Sequence, residues 1–189
     1  MTGSRLSNQK AEFYRRCLSR QHLHDWLVKF LDLRLPMQAR CAGHDSPMEY
    51  VWRAYDEPAS DVIVWAPRGG GKTRLGAAVT LLDLLHKPGI QVRILGGSLD
   101  QSCRMWEYLL PDLERLVPQL VEKSNLGRSL RLTSGSRVAV LSQSQKAVRG
   151  LRVQKLRCDE VELFDADVWE AAQLVPFPVH EFRGAPIAG

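Results

Sequence analysis

The sequence predicts an α/β fold, with a mostly parallel sheet flanked by helices and an N-terminal helical arm. Two observations predict this class. Short β-branched runs alternate along the chain with segments of helical periodicity, as they do in sheets covered by helices. A glycine-rich turn at residues 66–73 separates a short apolar run from a helix-like run, which is the setting of a phosphate-binding loop.

The N-terminal region is predicted to be helical and to lead into the core. Residues 8–33 are predicted to form one helix, with an apolar side that recurs at three- and four-residue spacing. That side consists of Leu23, Trp26, Leu27, Phe30 and Leu31. Residues 36–60 are rich in turn formers. We therefore assign residues 1–57 to a helical arm, residues 58–175 to an incomplete core domain and residues 176–189 to a flexible tail.

The core begins with alternating strands and helices. Residues 61–66 are predicted to be its first strand and residues 72–86 its first helix, which Pro88 and Gly89 end. The β-branched run 91–96 predicts a second strand. Ser98 is suited to cap the helix that follows. Pro111 breaks or kinks that helix, so two helical pieces are an open alternative.

The second half of the core starts with a hairpin. Residues 127–133 and 137–141 alternate apolar and polar side chains around a short Ser-Gly-Ser turn. Residues 154–158 are predicted to form a strand that ends at two acids, and residues 165–174 a helix.

The glycine-rich turn carries the residue types that bind a nucleotide phosphate and its metal. Its glycines let backbone N–H groups point inward at an anion, and the following helix adds its dipole. Lys72 would contact the β- and γ-phosphates, and the Thr73 hydroxyl would bind Mg²⁺. Ala66 stands where the strict motif has glycine, and a turn without function is the alternative. The loop residues predicted to bind ATP are Pro67, Arg68, Gly69, Gly70, Gly71, Lys72 and Thr73.

Asp159 and Glu160 complete the predicted site. They follow a short apolar strand, and ligands bind at the carboxyl ends of the strands in open α/β sheets. Asp159 would hold Mg²⁺, and Glu160 would orient and help to deprotonate an attacking water. Arg68 would stabilise charge on the γ-phosphate, unless it only pairs with nearby acids. Gln38, upstream of the loop, is a weaker candidate for an adenine contact.

Positive charge is concentrated in one window of the chain. Residues 123–157 hold nine Lys or Arg and no acid, whereas the whole chain has a net charge of +5. A block of one sign suggests a polyanion surface, and a solvated basic face is the equal alternative. Lys146, Arg149 and Arg152 are the predicted contacts to a nucleic-acid backbone, which they would position without reading its sequence.

Composition excludes several other classes. No stretch is long and apolar enough to span a bilayer, and residues 1–10 lack the apolar region of a signal peptide, so we expect a cytoplasmic protein and no membrane partner. The cysteines are scattered, so disulfides are not expected in that compartment. Cys41 and His44, with His22 and His24 upstream, leave zinc as a minor alternative to ordinary surface or core roles.

These motifs resemble those of large terminase subunits, the DNA-packaging motors of tailed phages and prophages. The arginine-containing loop 67–73 is similar to theirs, and so are the element 148–151 and the strand that ends at Asp159 and Glu160. The resemblance covers roughly residues 25–170 and rests on the combination of these motifs.

The resemblance implies a RecA-like ATPase core in a bacterial or phage-infected cell. Lys72 and Thr73 would bind phosphate and metal, Arg68 would sense the γ-phosphate, Asp159 would bind Mg²⁺ and Glu160 would be the catalytic carboxylate. Double-stranded DNA, a portal ring, a small terminase subunit and a homo-oligomeric ring are the implied partners. Members of the family continue to a coupling strand and a nuclease domain, whereas 29 residues follow Glu160 here. We therefore expect the N-terminal part of such a protein.

Two rivals remain at this point. A helicase-like or repair ATPase would share the loop and would unwind strands rather than package DNA. A truncated domain that binds nucleotide or DNA without turnover would not be an enzyme. Hydrolysis by the chain, compared with that of Glu160→Gln, separates the second rival.

Overall fold

The computed structural model describes residues 11–56, 61–125, 128–142 and 153–174. The helices are α1 (Arg20–Leu31), α2 (Pro47–Asp56), α3 (Lys72–His86), α4 (Leu99–Leu116) and α5 (Ala166–Gln173). The strands are β1 (Gln91–Gly96), β2 (Val121–Asn125), β3 (Ser129–Leu132), β4 (Arg137–Leu141) and β5 (Lys155–Asp159). Two 3₁₀ turns, Pro118–Leu120 and Val161–Leu163, precede β2 and follow β5.

The strands form one open, mixed, five-stranded sheet in the order β2-β3-β4-β1-β5. β1 is parallel to β4 and β5, whereas β3 is antiparallel to both β2 and β4. The predicted α/β class is observed, with helices beside the sheet, but the sheet is only partly parallel. Its antiparallel half consists of the predicted hairpin and of β2, which the sequence analysis did not predict.

The predicted strand at residues 61–66 is wrong. The segment has no strand pairing, and its alternate side chains Ile63 and Trp65 are 86% and 94% exposed. A short apolar, β-branched run favours an extended backbone, but a strand also needs a hydrogen-bonding partner. Within the described residues, β5 pairs only with β1, so no ladder reaches the segment ahead of the loop.

The predicted helix at residues 8–33 is divided. Residues 11–14 are helical, and α1 starts only after Ser19, whose hydroxyl accepts a hydrogen bond from the His22 N–H at 3.1 Å. Between them the Cys17 N–H donates to the Tyr55 hydroxyl at 3.0 Å, a tertiary bond that replaces a helical one. Apolar periodicity across both pieces therefore hid the break.

The N-terminal helices share a core with α3 and α4. One hydrophobic cluster joins the four helices to the sheet, so the predicted arm is packed as part of the main body. Its buried members include Leu23, Trp26, Leu27, Val51, Tyr55, Leu81, Leu84, Val92, Ile94, Leu109 and Leu113. The predicted tail at residues 176–189 lies outside the described residues.

α4 is one continuous helix with Pro111 inside it. Pro111 is exposed, whereas Met105, Trp106, Leu109 and Leu113 are buried on the opposite side. Burial of this apolar stripe outweighs the backbone hydrogen bond that proline removes. Of the two sequence-based alternatives, the uninterrupted helix is the one observed.

The two faces of the sheet are covered unequally. α3 and α4 pack against one face, which carries Val92 and Ile94 in the main cluster. α5 packs against part of the other face, where a second cluster joins its Val168 to Leu95 and Leu156. The second face is therefore the more open one within the described residues.

A buried hydrogen-bond chain links the N-terminal region to the end of α3. His86 Nε2 lies 3.0 Å from the Phe13 carbonyl oxygen and donates to it, so its Nδ1 accepts from the Tyr55 hydroxyl at 2.8 Å. The Trp26 indole N–H donates to the same carbonyl at 3.0 Å. With Nε2 donating and Nδ1 accepting, the ring is neutral, and burial rather than the hydrogen bond to Phe13 favours that form. Burial lowers the pKa of His86 to about 4. Phe13 and Asp83 oppose this shift, and Lys87 and His22 add slightly to it.

This low pKa predicts a loss of stability in weak acid. The unfolded chain gains a proton at His86 below its ordinary pKa of about 6.5, whereas the folded chain resists protonation until about pH 4. The stability is fully present above pH 6.5 and falls by about 3 kcal/mol as the pH drops through 4. Urea unfolding between pH 7.5 and 4 measures the loss. His86→Gln should remove this part of the pH dependence, whereas His44→Gln, at an exposed position, should retain it.

Candidate phosphate-binding site

The glycine-rich loop is folded into a tight turn. The Gly70 N–H donates to the Pro67 carbonyl at 3.0 Å. Gly69 and Gly71 have φ angles of +79° and +78°, a conformation that side-chain-bearing residues adopt only with strain. The glycines at these two positions are therefore required by the backbone itself, whatever the loop binds.

The loop runs directly into α3, whose first turn is open to an anion. Gly71 is the N-cap and offers no side-chain acceptor, and the first turn contains no acid. The leading N–H groups of the helix are therefore not capped by the chain, and the helix dipole favours negative charge there. Lys72 is the first helical residue, and its ammonium donates to the carbonyls of Ala66 at 2.7 Å and Pro67 at 3.3 Å.

A single hydrogen bond connects this loop to the end of β5. The Thr73 hydroxyl donates to Asp159 Oδ2 at 2.8 Å. Asp159 is 8% exposed and pairs in register with Gly96, at the carboxyl ends of two parallel strands. A hydroxyl and a carboxylate at such an edge are oxygen ligands of the kind that Mg²⁺ prefers.

Glu160 stands at the mouth of the same edge with a left-handed backbone. Its φ angle is +55°, which is uncommon for a residue other than glycine. Such conformations cluster at functional sites, where the surrounding structure maintains the strain. Arg104, on α4, places its guanidinium 4.0 Å from Glu160 Oε1. The sequence analysis did not identify Arg104, because nothing in its spacing distinguishes it from other exposed helical arginines.

Behind the site, α3 is fixed to β5 by a buried charge cluster. Asp83 is fully buried and lies 3.1 Å from Lys155, 2.5 Å from Arg157 and 2.8 Å from Lys87. Burial alone would raise the pKa of Asp83, but the three cations outweigh it and hold that pKa well below its usual range. The sequence does carry a signal for this cluster, because Lys155, Arg157 and Asp159 alternate along one face of the strand.

Two further groups beside β5 are held protonated by their surroundings. Burial raises the pKa of the Cys158 thiol to about 12, so this thiol is not a nucleophile at neutral pH. Burial also raises the pKa of Tyr50, on α2, where Arg157 opposes the shift and Asp159 adds to it. Neither group supplies a base to the site.

Several residues predicted from the sequence do not contact the candidate phosphate-binding site in the structure. Arg68 is exposed on the loop, and Gln38 is exposed between α1 and α2, with no side-chain hydrogen bond to the loop within the described residues. The predicted nucleic-acid residues Lys146, Arg149 and Arg152 lie outside the described residues.

The alternative of a zinc site at Cys41 and His44 receives no support from the described part of the chain. Cys41 and His44 are exposed and joined by a backbone turn, with the His44 N–H 3.4 Å from the Cys41 carbonyl oxygen. Across the described ranges, no group of three or more His, Cys, Asp or Glu is arranged to hold a metal ion.

No protein-family model matches the chain, and no curated protein matches it. Support for a function therefore comes from the geometry of the loop at residues 66–73 and of Asp159 and Glu160. Among the helices in the described ranges, none has both the length and the apolar character that crossing a membrane requires.

Proposed function

We propose that the chain is an ATP-binding and ATP-hydrolysing P-loop NTPase domain of the RecA-like type, resembling the motor domain of a large terminase subunit. One observation carries the proposal. The hydrogen bond from Thr73 to Asp159, at 2.8 Å, brings the glycine-rich loop and the acidic strand end to one place. Two motifs that are far apart in the sequence thus meet where a nucleotide triphosphate with its metal would need both.

The donor set fits Mg²⁺·ATP. Uncapped N–H groups at the start of α3 and the Lys72 ammonium would bind the phosphates. Thr73 and Asp159 would hold the metal through oxygen atoms. When bound, Mg²⁺ neutralises charge that develops on the transferring phosphoryl group. The Lys72 ammonium donates to the Ala66 and Pro67 carbonyls, and it would donate to the phosphates instead when a nucleotide binds, because they are stronger, anionic acceptors.

Glu160 and Arg68 are assigned the chemical roles. Glu160 is partly exposed at the edge of the site, where its carboxylate would orient a water and accept its proton. Arg68 is exposed on the loop, so its guanidinium can move toward a bound nucleotide, where it would stabilise negative charge on the γ-phosphate. Gln38 is kept as the candidate for an adenine contact.

The terminase assignment adds a cargo and partners to this chemistry. It is supported by the motif resemblance and by the basic window at residues 123–157, apart from Lys155 and Arg157, which pair with the buried Asp83. We include double-stranded DNA, bound without sequence preference, together with a portal, a small terminase subunit and a homo-oligomeric ring. A helicase-like or repair ATPase remains the alternative cargo assignment with the same site.

A second candidate function is nucleotide binding without turnover. Two contacts favour it: the Lys72 ammonium donates to loop carbonyls, and Glu160 Oε1 lies 4.0 Å from the Arg104 guanidinium. Both arrangements would have to change for hydrolysis. Nucleotide affinity is common to the two candidates, and the rate of hydrolysis separates them.

The binding step is tested with Lys72→Ala. Loss of one ammonium that contacts two phosphates removes about 3 kcal/mol, so the affinity for Mg²⁺·ATP should fall at least about 100-fold. Isothermal titration measures it. Lys29→Ala, which removes an exposed lysine of α1, is the matched control and should bind like the parent chain. Equal ATP affinities for the Lys72→Ala variant and the parent chain would contradict the proposal.

A further inference from the structure

The open face of the sheet carries a row of arginines that the nucleotide site does not use. Arg131 on β3 is directly opposite Arg137 on β4, and Arg137 is in register with Gln91 on β1. Arg93 follows two residues after Gln91 and therefore points to the same face. The three arginines, Arg93, Arg131 and Arg137, are called the arginine row below.

The row lies on the face opposite α3 and α4. On β1, Val92 and Ile94 enter the main core, so Arg93 and Leu95 project from the other side. Leu95 is covered by the cluster that includes α5, whereas Arg131 and Arg137 are exposed and Arg93 is half-buried. α5 thus covers one end of this face and leaves the end with the arginines open within the described residues.

The row concentrates positive charge at a cost to the fold. Like charges directly opposite each other on neighbouring strands are destabilising. Arg131 has an acidic partner, Glu122, at 3.0 Å, but both side chains are about half exposed, so the pair is weak. Arg93 and Arg137 have no ion-pair partner among the described residues, and Arg137 further lowers the pKa of Arg93, which burial already lowers. An anionic ligand would relieve this repulsion.

We propose that the arginine row binds the phosphate backbone of double-stranded DNA. Neighbouring strands place Arg131 and Arg137 about 5 Å apart, and Arg137 and Arg93 about 7–8 Å apart, so the guanidinium groups would contact successive backbone phosphates. The planar guanidinium fork matches phosphate oxygens. The surface would bind without sequence preference, because phosphate contacts carry no base information.

The neighbours of the row favour a duplex over other polyanions. Gln91, Ser129 and Ala139 share its face, and none supplies an aromatic ring on which a single-stranded base would stack. Leu156, in register with Arg93, is the large apolar side chain beside the row, and it packs against the second cluster instead of standing free to insert into a lipid surface. A rigid duplex that needs only backbone contacts is the occupant that this composition suits.

The row is separate from the candidate nucleotide site. Arg137 lies in register with the first residue of β1, whereas Asp159 lies in register with the last, Gly96. The two ends of the strand are about 16 Å apart, and the two sites lie on opposite faces of the sheet. The choice of DNA rests on the proposed function, but the surface itself does not depend on ATP binding.

Fluorescence anisotropy with a labelled 30-base-pair duplex, from 50 to 300 mM NaCl, tests the inference. Arg93→Gln/Arg131→Gln/Arg137→Gln should weaken binding at least about tenfold at low salt, and should reduce the slope of log affinity against log salt by about 2–3. The double variant Arg131→Gln/Arg137→Gln alters only exposed positions and should give about two thirds of that change in slope. It keeps the test decisive if the half-buried Arg93 is needed for folding.

The matched control removes the same charge elsewhere. Arg15, Arg34 and Arg40 are exposed in the N-terminal region, and their joint replacement by Gln should leave the slope nearly unchanged. An equal loss in this control, binding by the triple variant within twofold of the parent chain, or equally tight binding of polyglutamate would overturn the proposal. Unaltered Mg²⁺·ATP affinity of the triple variant would separate this surface from the nucleotide site.

Discussion

Asp83→Asn is expected to lower the free energy of unfolding by about 3–5 kcal/mol. Asp83 is fully buried in α3 and is the shared acid for Lys155, Arg157 and Lys87. Asparagine keeps the size of the side chain and removes only its charge, so three cations would be left around a neutral amide.

The size of this effect follows from burial. Lys155 is 7% exposed and Arg157 is 15% exposed, so water cannot solvate them in place of the lost carboxylate. Removing one partner of a buried ion pair is far more damaging than removing an exposed pair, because it strands a desolvated charge. Lys155 also donates to the Ala54 carbonyl at 3.0 Å, so the disturbance would extend to α2.

Urea unfolding at pH 7 measures the change, and Asp45→Asn provides the comparison. Asp45 pairs with Arg53 at 3.1 Å, but its side chain is 63% exposed, so its loss should cost less than about 1 kcal/mol. A comparable cost for the two variants would show that the Asp83 cluster does not hold α3 against β5.

The elements that could be predicted from the sequence are those whose pattern is local. The helix at 72–86 and the strand at 91–96 are confirmed with the predicted bounds, because each has a clear apolar pattern and Pro88 and Gly89 mark the boundary between them. The strand at 61–66 was wrong for the opposite reason. A short apolar, β-branched run made it look like a strand, but pairing depends on a neighbour elsewhere in the chain, which a local pattern does not contain.

The same division applies to the candidate site. The turn glycines, Lys72 and Thr73 could be named from the sequence because their spacing is fixed within one loop. Asp159 could be named because it ends an apolar strand. The alternation of Lys155 and Arg157 marks the β5 side of the charge cluster, but Asp83 and Arg104 could not be named, because their roles come from side chains brought together across α3, α4 and β5. A fully buried aspartate in a helix is visible only once the helix is packed.

Glu160→Gln is expected to slow single-turnover hydrolysis of ATP by about 10²–10⁴, while the affinity for Mg²⁺·ATP changes little. A glutamine can still position a water through hydrogen bonds, but it cannot accept a proton. The left-handed backbone at residue 160 is kept, because glutamine differs from glutamate only in the side-chain terminus. The substitution also removes the ion pair between Glu160 and Arg104, which are 4.0 Å apart. Arg104 is 62% exposed, and such a surface pair contributes little to stability.

Glu162→Gln supplies the matched control for this experiment. Glu162 is exposed in the 3₁₀ turn two residues further on, so its replacement removes the same charge from the same edge and should leave the rate within about twofold. Single-turnover hydrolysis is measured with radiolabelled ATP and enzyme in excess. A slow rate for Glu160→Gln beside an unchanged rate for Glu162→Gln assigns the general base to Glu160. Equal rates for the parent chain and Glu160→Gln, with ATP still bound, would instead favour a domain that binds nucleotide without turning it over, because the carboxylate proposed as the base would then be idle.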